Sequence, residues 1–186
     1  MQLADDAFSS SQIESKIWLA ENLERAIEHY HLANPLRILL IGGWYGLANL
    51  ILRTRNKIPV LHVRSIDIDQ ESCNNADIIN ECWVSKNWQF KSIVADANKF
   101  DCSNFDCIIN TVVEHIECDD WFENIPAGSL VALQSNNMTH KDHVNIHSSL
   151  SNFDKAYPLK DTFFLKSKDI RYPTWSFKRF MKIGLK

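Results

Sequence analysis

The chain reads as an α/β protein built on an open, mostly parallel sheet with helices on both faces. Three observations predict this class. An unbroken apolar run at 38–41 leads into a turn holding Gly42, Gly43 and Gly46, then into Leu47, Leu50 and Ile51 at helical spacing. Short strand-like runs then alternate with helical stretches, the pattern of parallel strands joined by crossovers. The last two strand-like runs alternate in polarity and lie close in sequence, which suits an antiparallel pair.

The elements follow in order. Residues 1–8 read as a loose start. Ser9, Ser10 and Ser11 offer helix caps, and Ser11 with Glu14 has capping-box spacing. Ile13, Ile17, Ala20, Leu23, Ile27 and Tyr30 then form a helical stripe, so a helix is predicted over 11–31 and ended by Asn34-Pro35. Strands are expected at 36–41, 60–67, 90–94, 105–110 and 130–133, with helices over 45–55 and 70–82. Asp69 is the natural cap of the second of these helices. Residues 134–153 read as irregular or partly helical. Strands at 162–166 and 177–183 complete the sheet. At 186 residues the expectation is one domain, with a helical segment over 1–34 and the α/β core over 35–186.

Composition narrows the function. Hydrophobic content of 45% with 23% charged residues is that of an ordinary globular protein. A net charge of −3 argues against a protein that coats nucleic acid. Charge is uneven, with nine basic and three acidic residues from Asp154 to Lys186. That basic end reads first as a solvated surface, and second as a site for an anionic substrate or RNA. Five cysteines without a Cys-x-x-Cys pair suggest neither a disulfide framework nor a zinc site. Reduced thiols in the cytoplasm are the expectation. The polar, acidic start does not read as a secretion signal. No apolar run nears the ~20 residues that span a bilayer, so no membrane association is expected.

Ligands of open α/β sheets lie at the carboxyl ends of the strands. Here these ends carry the glycine turn, Asp67-Ile-Asp69, Ala95-Asp-Ala97, Asn110 through Glu114-His115, and Gln134 through Asn137. The glycine turn brings backbone amides and a helix N-terminus toward a ligand. Asp67, 25 residues after Gly42, suits a carboxylate that accepts from both hydroxyls of a ribose. Asp96 suits an acceptor for an adenine amino group, with the Ala97 amide on a ring nitrogen. The alternative for Asp96 is a plain turn aspartate.

These runs, in this order and spacing over about 36–135, resemble the class I S-adenosylmethionine-dependent methyltransferases. The resemblance implies a Rossmann-like seven-stranded sheet in the order 3-2-1-4-5-7-6, its last strand antiparallel. It implies S-adenosyl-L-methionine as cofactor. Gly42, Gly43, Trp44 and Gly46 would then lie at the methionine end, Asp67 and Ile68 beside the ribose, Asp96 and Ala97 on the adenine, and Asn110 near the amino-acid end. Glu114 and His115 would sit near the sulfonium and are the catalytic candidates. Glu114 would orient or deprotonate a nucleophile and His115 would act as general base. Alternatively both only shape the pocket, because methyl transfer needs little beyond alignment. Two residues depart from the family pattern. Leu40 replaces an acidic residue before the first glycine, and Trp44 replaces the middle glycine. Trp44 reads either as a cofactor cover or substrate wall, or as a core residue.

His140, His143 and His147 form a His-x2-His-x3-His run. No metal site is expected from it. With Gln134, Asn136 and Asn137 it reads as the substrate side of the crevice. Trp121, Phe122 and Trp175 read as core, or as an aromatic wall, and Arg171-Tyr172-Pro173 as a hairpin turn reaching the same mouth. The expected function is methyl transfer to a small-molecule nitrogen or oxygen nucleophile. Alternatives are transfer of the aminocarboxypropyl group of the same donor, methylation of RNA through the basic C-terminal region, and a catalytically silent binding module. A nicotinamide enzyme is disfavoured, because the turn lacks Gly-x-Gly-x-x-Gly.

Overall fold

Seven strands make one sheet among the described residues: β1 (Leu36–Ile41), β2 (Val60–Asp67), β3 (Phe90–Val94), β4 (Cys107–Asn110), β5 (Leu130–Asn136), β6 (Asp161–Arg171) and β7 (Ser176–Leu185). The computed structural model describes residues 3–32, 34–172 and 174–186. In space the strands run β3-β2-β1-β4-β5-β7-β6. β1 to β5 pair in parallel, and β7 is inserted antiparallel to both β5 and β6. This is the order the resemblance implied. The helices are α1 (Ser10–His29), α2 (Leu47–Arg55), α3 (Gln70–Ile79), α4 (Glu81–Val84), α5 (Asp120–Glu123) and α6 (Leu150–Ala156).

The continuous apolar sequence of β1 from Ile38 to Ile41 reflects burial on both faces. Ile38 and Leu40 join a cluster with Leu19, Leu23 and Ala26 of α1 and Leu52 of α2. Leu39 and Ile41 point the other way, into a cluster with Trp121, Phe122, Phe153 and Tyr157. Successive side chains of a strand face opposite sides, so the part of a strand covered on both is apolar at every position. Burying each such side chain contributes roughly 1.5–3 kcal/mol. Trp121 and Phe122 are fully buried core residues and form no wall of a cleft.

Several boundaries differ from the sequence expectation, each for a local reason. The Ser11–Glu14 capping box does not form. Ser9 caps α1 by accepting from the Gln12 amide at 3.4 Å, Ser11 bonds the Tyr172 hydroxyl at 2.7 Å, and Glu14 pairs with Lys168 at 3.3 Å. β4 starts at Cys107, because Phe105 closes a turn onto the Cys102 carbonyl. β5 continues through Asn136, because β7 extends the ladder from Leu130 opposite Leu185 to Asn136 opposite Arg179. A paired neighbour overrides the low strand propensity of Gln-Ser-Asn. Gln134 is therefore inside the sheet, not on the crevice. It accepts from the Ser15 hydroxyl at 3.1 Å and donates to the Ser15 carbonyl at 3.2 Å, tying β5 to α1. Asn137 accepts from the Lys178 amide and so extends the β5–β7 pairing.

The expected second helix breaks at Asn80, whose buried amide serves two elements. It donates to the Ala76 carbonyl at 2.9 Å, and its carbonyl accepts from Asn49 of α2 at 2.8 Å. Gly46, in the left-handed region with φ of 74°, lies against this amide, and a Cβ there would meet Asn80 Nδ2 at 2.4 Å. The glycine is thus demanded by backbone and packing together.

The basic C-terminal end is not simply a solvated surface. Lys182 is 2% exposed. Its ammonium donates to the Asp154 carboxylate at 2.5 Å and to the Tyr157 and Asp154 carbonyls at 2.8 and 3.2 Å. A cation here satisfies the free carbonyls at the end of α6 and fastens it to β7. Lys182→Met keeps the stem and removes the donors, and is expected to destabilise the fold by about 1–3 kcal/mol. Chemical denaturation would measure this, and an unchanged midpoint would show that the bonds contribute nothing net.

Candidate functional site

A crevice of about 840 Å³ opens at the carboxyl ends of the parallel strands, within the range of small-molecule sites. Its floor is the turn after β1. Gly42 has φ of 61°, and a Cβ there would lie 1.9 Å from Val112 Cγ2, so the turn can pass under the β4 loop only as glycine. Gly43 also faces the crevice. Gly46 does not line it and acts through packing on Asn80 instead.

Trp44 adopts φ of 47°. This left-handed conformation is one that glycine takes freely and that costs other residues roughly 1–2 kcal/mol. Its amide donates to Asp67 Oδ2 at 3.0 Å, and its ring stacks on Tyr45 with centroids 4.5 Å apart. Both aromatic residues line the crevice. Trp44 is therefore a wall of the site and not a core residue.

Asp67 and Asp69 divide two tasks. Asp69 accepts from the Ser72 amide at 2.8 Å and caps α3, and the Ser72 hydroxyl and then this amide hold its carboxyl below the usual carboxylate range. Asp67 faces the crevice, its oxygens accepting from the Trp44 and Asp69 amides. Each oxygen retains acceptor capacity for a further donor. Ile68 is exposed at 78% and lies beside it. Asp96 lines the same end and also caps the turn at Ala97–Lys99. Lys99 at 3.1 Å and the Asn98 amide hold its carboxyl low, so it is an acceptor at neutral pH.

The opposite end is deep and polar. Asn110 does not line the crevice. It is buried, with Oδ1 accepting from the Val112 amide at 3.0 Å. That bond shapes the loop into the turn Val113–His115. Glu114 in this turn is 2% exposed. Its Oε1 accepts from Arg179 Nη1 at 3.2 Å and from the Asn136 amide, while Oε2 is buried without a partner. Arg179 Nε is likewise buried and unpaired. Lys16 of α1 reaches the same end. Desolvation, then repulsion from Arg179, pulls its ammonium down to about 7, with Glu114 opposing.

The His-x2-His-x3-His run does not assemble. His147 turns into the core, where Nδ1 lies 3.1 Å from the Ser135 hydroxyl and burial lowers its pKa. His143 packs against both His140 and His115, with ring centroids 5.4 and 4.7 Å apart. His140 and Asn136 also line the crevice, whereas Gln134 and Asn137 do not. Arg171, Tyr172 and Trp175 lie away from it, Tyr172 and Trp175 stacked on each other at 4.2 Å. Pro173 falls outside the described residues. Lys16 and Arg179 were not legible from sequence. Lys16 interrupts no pattern in its helix, and Arg179 lies in a strand whose basic residues read as solvated.

No protein-family model matches the chain, and no curated protein sequence matches it. Solved structures do match its fold. A protein of Galdieria sulphuraria assigned as a sarcosine dimethylglycine methyltransferase superposes with a TM-score of 0.68 at 12% identity, over 93% of this chain and 85% of that one. Magnesium protoporphyrin IX methyltransferase from Synechocystis PCC 6803, crystallised with bound SAM, gives 0.66 at 11% identity, over 97% and 86%. A protein of Pyrococcus horikoshii assigned as an RNA methyltransferase gives 0.60 at 13%, over 92% and 82%. The chain thus has the class I methyltransferase fold. Among the described residues, no helix is long and apolar enough to cross a membrane.

The lowered Lys16 pKa has a direct test. At pH 7.5 a large share of Lys16 is expected to be neutral and nucleophilic, while an ordinary lysine is almost fully protonated. Brief treatment with an amine-acylating reagent, read by peptide mass spectrometry, should label Lys16 ahead of the exposed Lys57. Equal or slower labelling would contradict the shift.

Proposed function

We propose that this chain is an S-adenosylmethionine-dependent methyltransferase acting on a small nitrogen or oxygen nucleophile. One observation carries the reading. A single crevice joins an acceptor-rich rim at Asp67 and Asp96 to a deep end holding Arg179 and Lys16, whose ammonium a bound carboxylate would restore. A nucleoside bearing an amino-acid tail asks for this division: acceptors for ribose hydroxyls and an adenine amino group at one end, cations for a carboxylate at the other. The buried, unpartnered Arg179 Nε and Glu114 Oε2 fit a polar ligand that completes them.

When bound, the cofactor supplies a methyl group on a sulfonium, open to in-line attack. The protein's part is to hold and orient. Asp67 accepts from the ribose, Asp96 and the Ala97 amide receive the adenine, and Ile68 covers its face. Gly42 and Gly43 allow close backbone approach, while Trp44 and Tyr45 wall off water. His115 Nδ1 lies 3.0 Å from the Asp142 carbonyl. As the donor in that bond, it leaves Nε2 to take a proton from the acceptor nucleophile. Glu114 is committed to Arg179 and Asn136, so its role is to position the loop rather than to exchange protons.

The basic C-terminal region gives little support to an RNA acceptor. Lys168, Lys178, Arg179 and Lys182 pair with Glu14, Asp169, Glu114 and Asp154, and the last two of these basic residues are buried.

Calorimetry tests the reading. S-adenosylmethionine and S-adenosylhomocysteine are expected to bind, Asp67→Ala to weaken both at least tenfold, about 1.4 kcal/mol, and methylthioadenosine, which lacks the amino-acid tail, to bind more weakly still. Absence of binding by either sulfur nucleoside would overturn it. Accumulation of methylthioadenosine during turnover, in place of S-adenosylhomocysteine, would move the assignment to aminocarboxypropyl transfer.

A further inference from the structure

The β4-loop side of the crevice holds three potential metal ligands from two segments, running from buried Glu114 to exposed His115. Glu114, His115 and His143 each offer one ligand atom, and these atoms all lie within 4.8 Å of one another. They differ from the histidine run visible in the sequence, since His147 is turned into the core and Glu114 and His115 come from the β4 loop.

Two further features suit a cation. Both histidines are oriented by backbone carbonyls: His115 Nδ1 lies 3.0 Å from the Asp142 carbonyl, and His143 Nδ1 lies 2.8 Å from the Met138 carbonyl. A carbonyl only accepts, so Nδ1 carries the hydrogen and Nε2 keeps its lone pair. This is the arrangement in which a neutral imidazole serves as a metal ligand. Independently, Glu114 Oε2 is buried with no partner, although Oε1 of the same carboxylate is bonded twice. A buried carboxylate oxygen without a donor is an expensive feature that a bound cation would satisfy.

We propose that Glu114, His115 and His143 bind one divalent transition-metal cation where the β4 loop meets the loop after β5. Two imidazoles and one carboxylate suit borderline ions such as zinc or cobalt(II). Tetrahedral zinc places its ligand atoms roughly 3.4 Å apart, so the three groups would draw together on binding. Arg179 and Lys16 lie close and oppose the added charge, which sets the affinity below that of an all-protein structural site. Because His115 and His143 line the open crevice, coordination positions remain for a ligand. The cation's role, which rests on the methyl-transfer reading, is to hold an acceptor oxygen in line with the donor and ease its deprotonation, in place of the base role that His115 Nε2 has in the metal-free chain. Binding of the cation itself does not rest on that reading.

The test uses tag-free full-length protein stripped of metal by chelation. Zinc is titrated calorimetrically, and cobalt(II) is titrated by its visible absorption, both without sulfur nucleosides. One ion per chain is expected, with cobalt bands of low-coordinate nitrogen and oxygen ligation. His115→Ala and His143→Ala should each weaken binding at least tenfold, while His140→Ala should not, with folding of each variant checked by circular dichroism. No binding by the wild-type chain, full affinity in either of the first two variants, or loss through His140→Ala alone would overturn the site. S-adenosylhomocysteine affinity, measured separately, keeps the two readings apart: metal binding without nucleoside binding sinks only the methyltransferase assignment, and the converse sinks only the metal site.

Discussion

The buried carboxylate of Glu114 is the constraint on which the crevice depends. It sits at the end of β4 and binds β5 through Asn136 and β7 through Arg179. Its backbone carbonyl accepts from the Val144 and Asn145 amides at 2.9 and 3.0 Å, so it also pins the loop after β5. One residue thereby joins two parallel strands, the inserted antiparallel strand and the loop carrying His143. A buried ion pair contributes little net stability, but leaving either partner alone costs about 3–5 kcal/mol. Such a pair selects one arrangement against others more than it strengthens the fold. Here the arrangement selected is the one that brings His115 and His143 together.

A second constraint works at the other end. The turn after β1 must pass beneath the β4 loop and beside α3, and both approaches exclude a side chain: Gly42 against Val112, Gly46 against Asn80. Trp44 takes a left-handed conformation between them and gives its amide to Asp67. The strain at Trp44 is compatible with a stable fold because the flanking glycines, the Asp67 carboxylate and the stack on Tyr45 over-determine its position. The departure from glycine thus leaves the backbone path in place and adds an aromatic wall to the crevice.

The two ends have different electrostatic character because different layers build them. Asp67 and Asp96 lie half-buried at the ends of β2 and β3, where backbone amides bond both carboxylates and Lys99 holds that of Asp96 low. Lys16 and Arg179 come from α1 and β7, whose contact closes the crevice from the opposite side. There desolvation and then the Arg179 charge draw the Lys16 ammonium down to about 7, with Glu114, paired to Arg179, opposing the shift.

The strand boundaries at 36–41, 60–67 and 90–94, the cap at Asp69, the glycine turn and the exposure of Asp67, Asp96 and Ala97 to one crevice were all legible in the sequence. Each follows from hydrophobic period or local backbone chemistry, which neighbours in the chain determine. What the sequence did not disclose depends on partners far away. Gln134 is claimed by Ser15, His147 by Ser135 and the aromatic core, Lys182 by the end of α6, and Arg179 by Glu114. A polar residue at a strand end looks the same whether it faces a ligand or a buried partner. Only the packing of α1, α6 and β7 against the sheet decides between them, because burial sets which hydrogen bonds must be made within the protein.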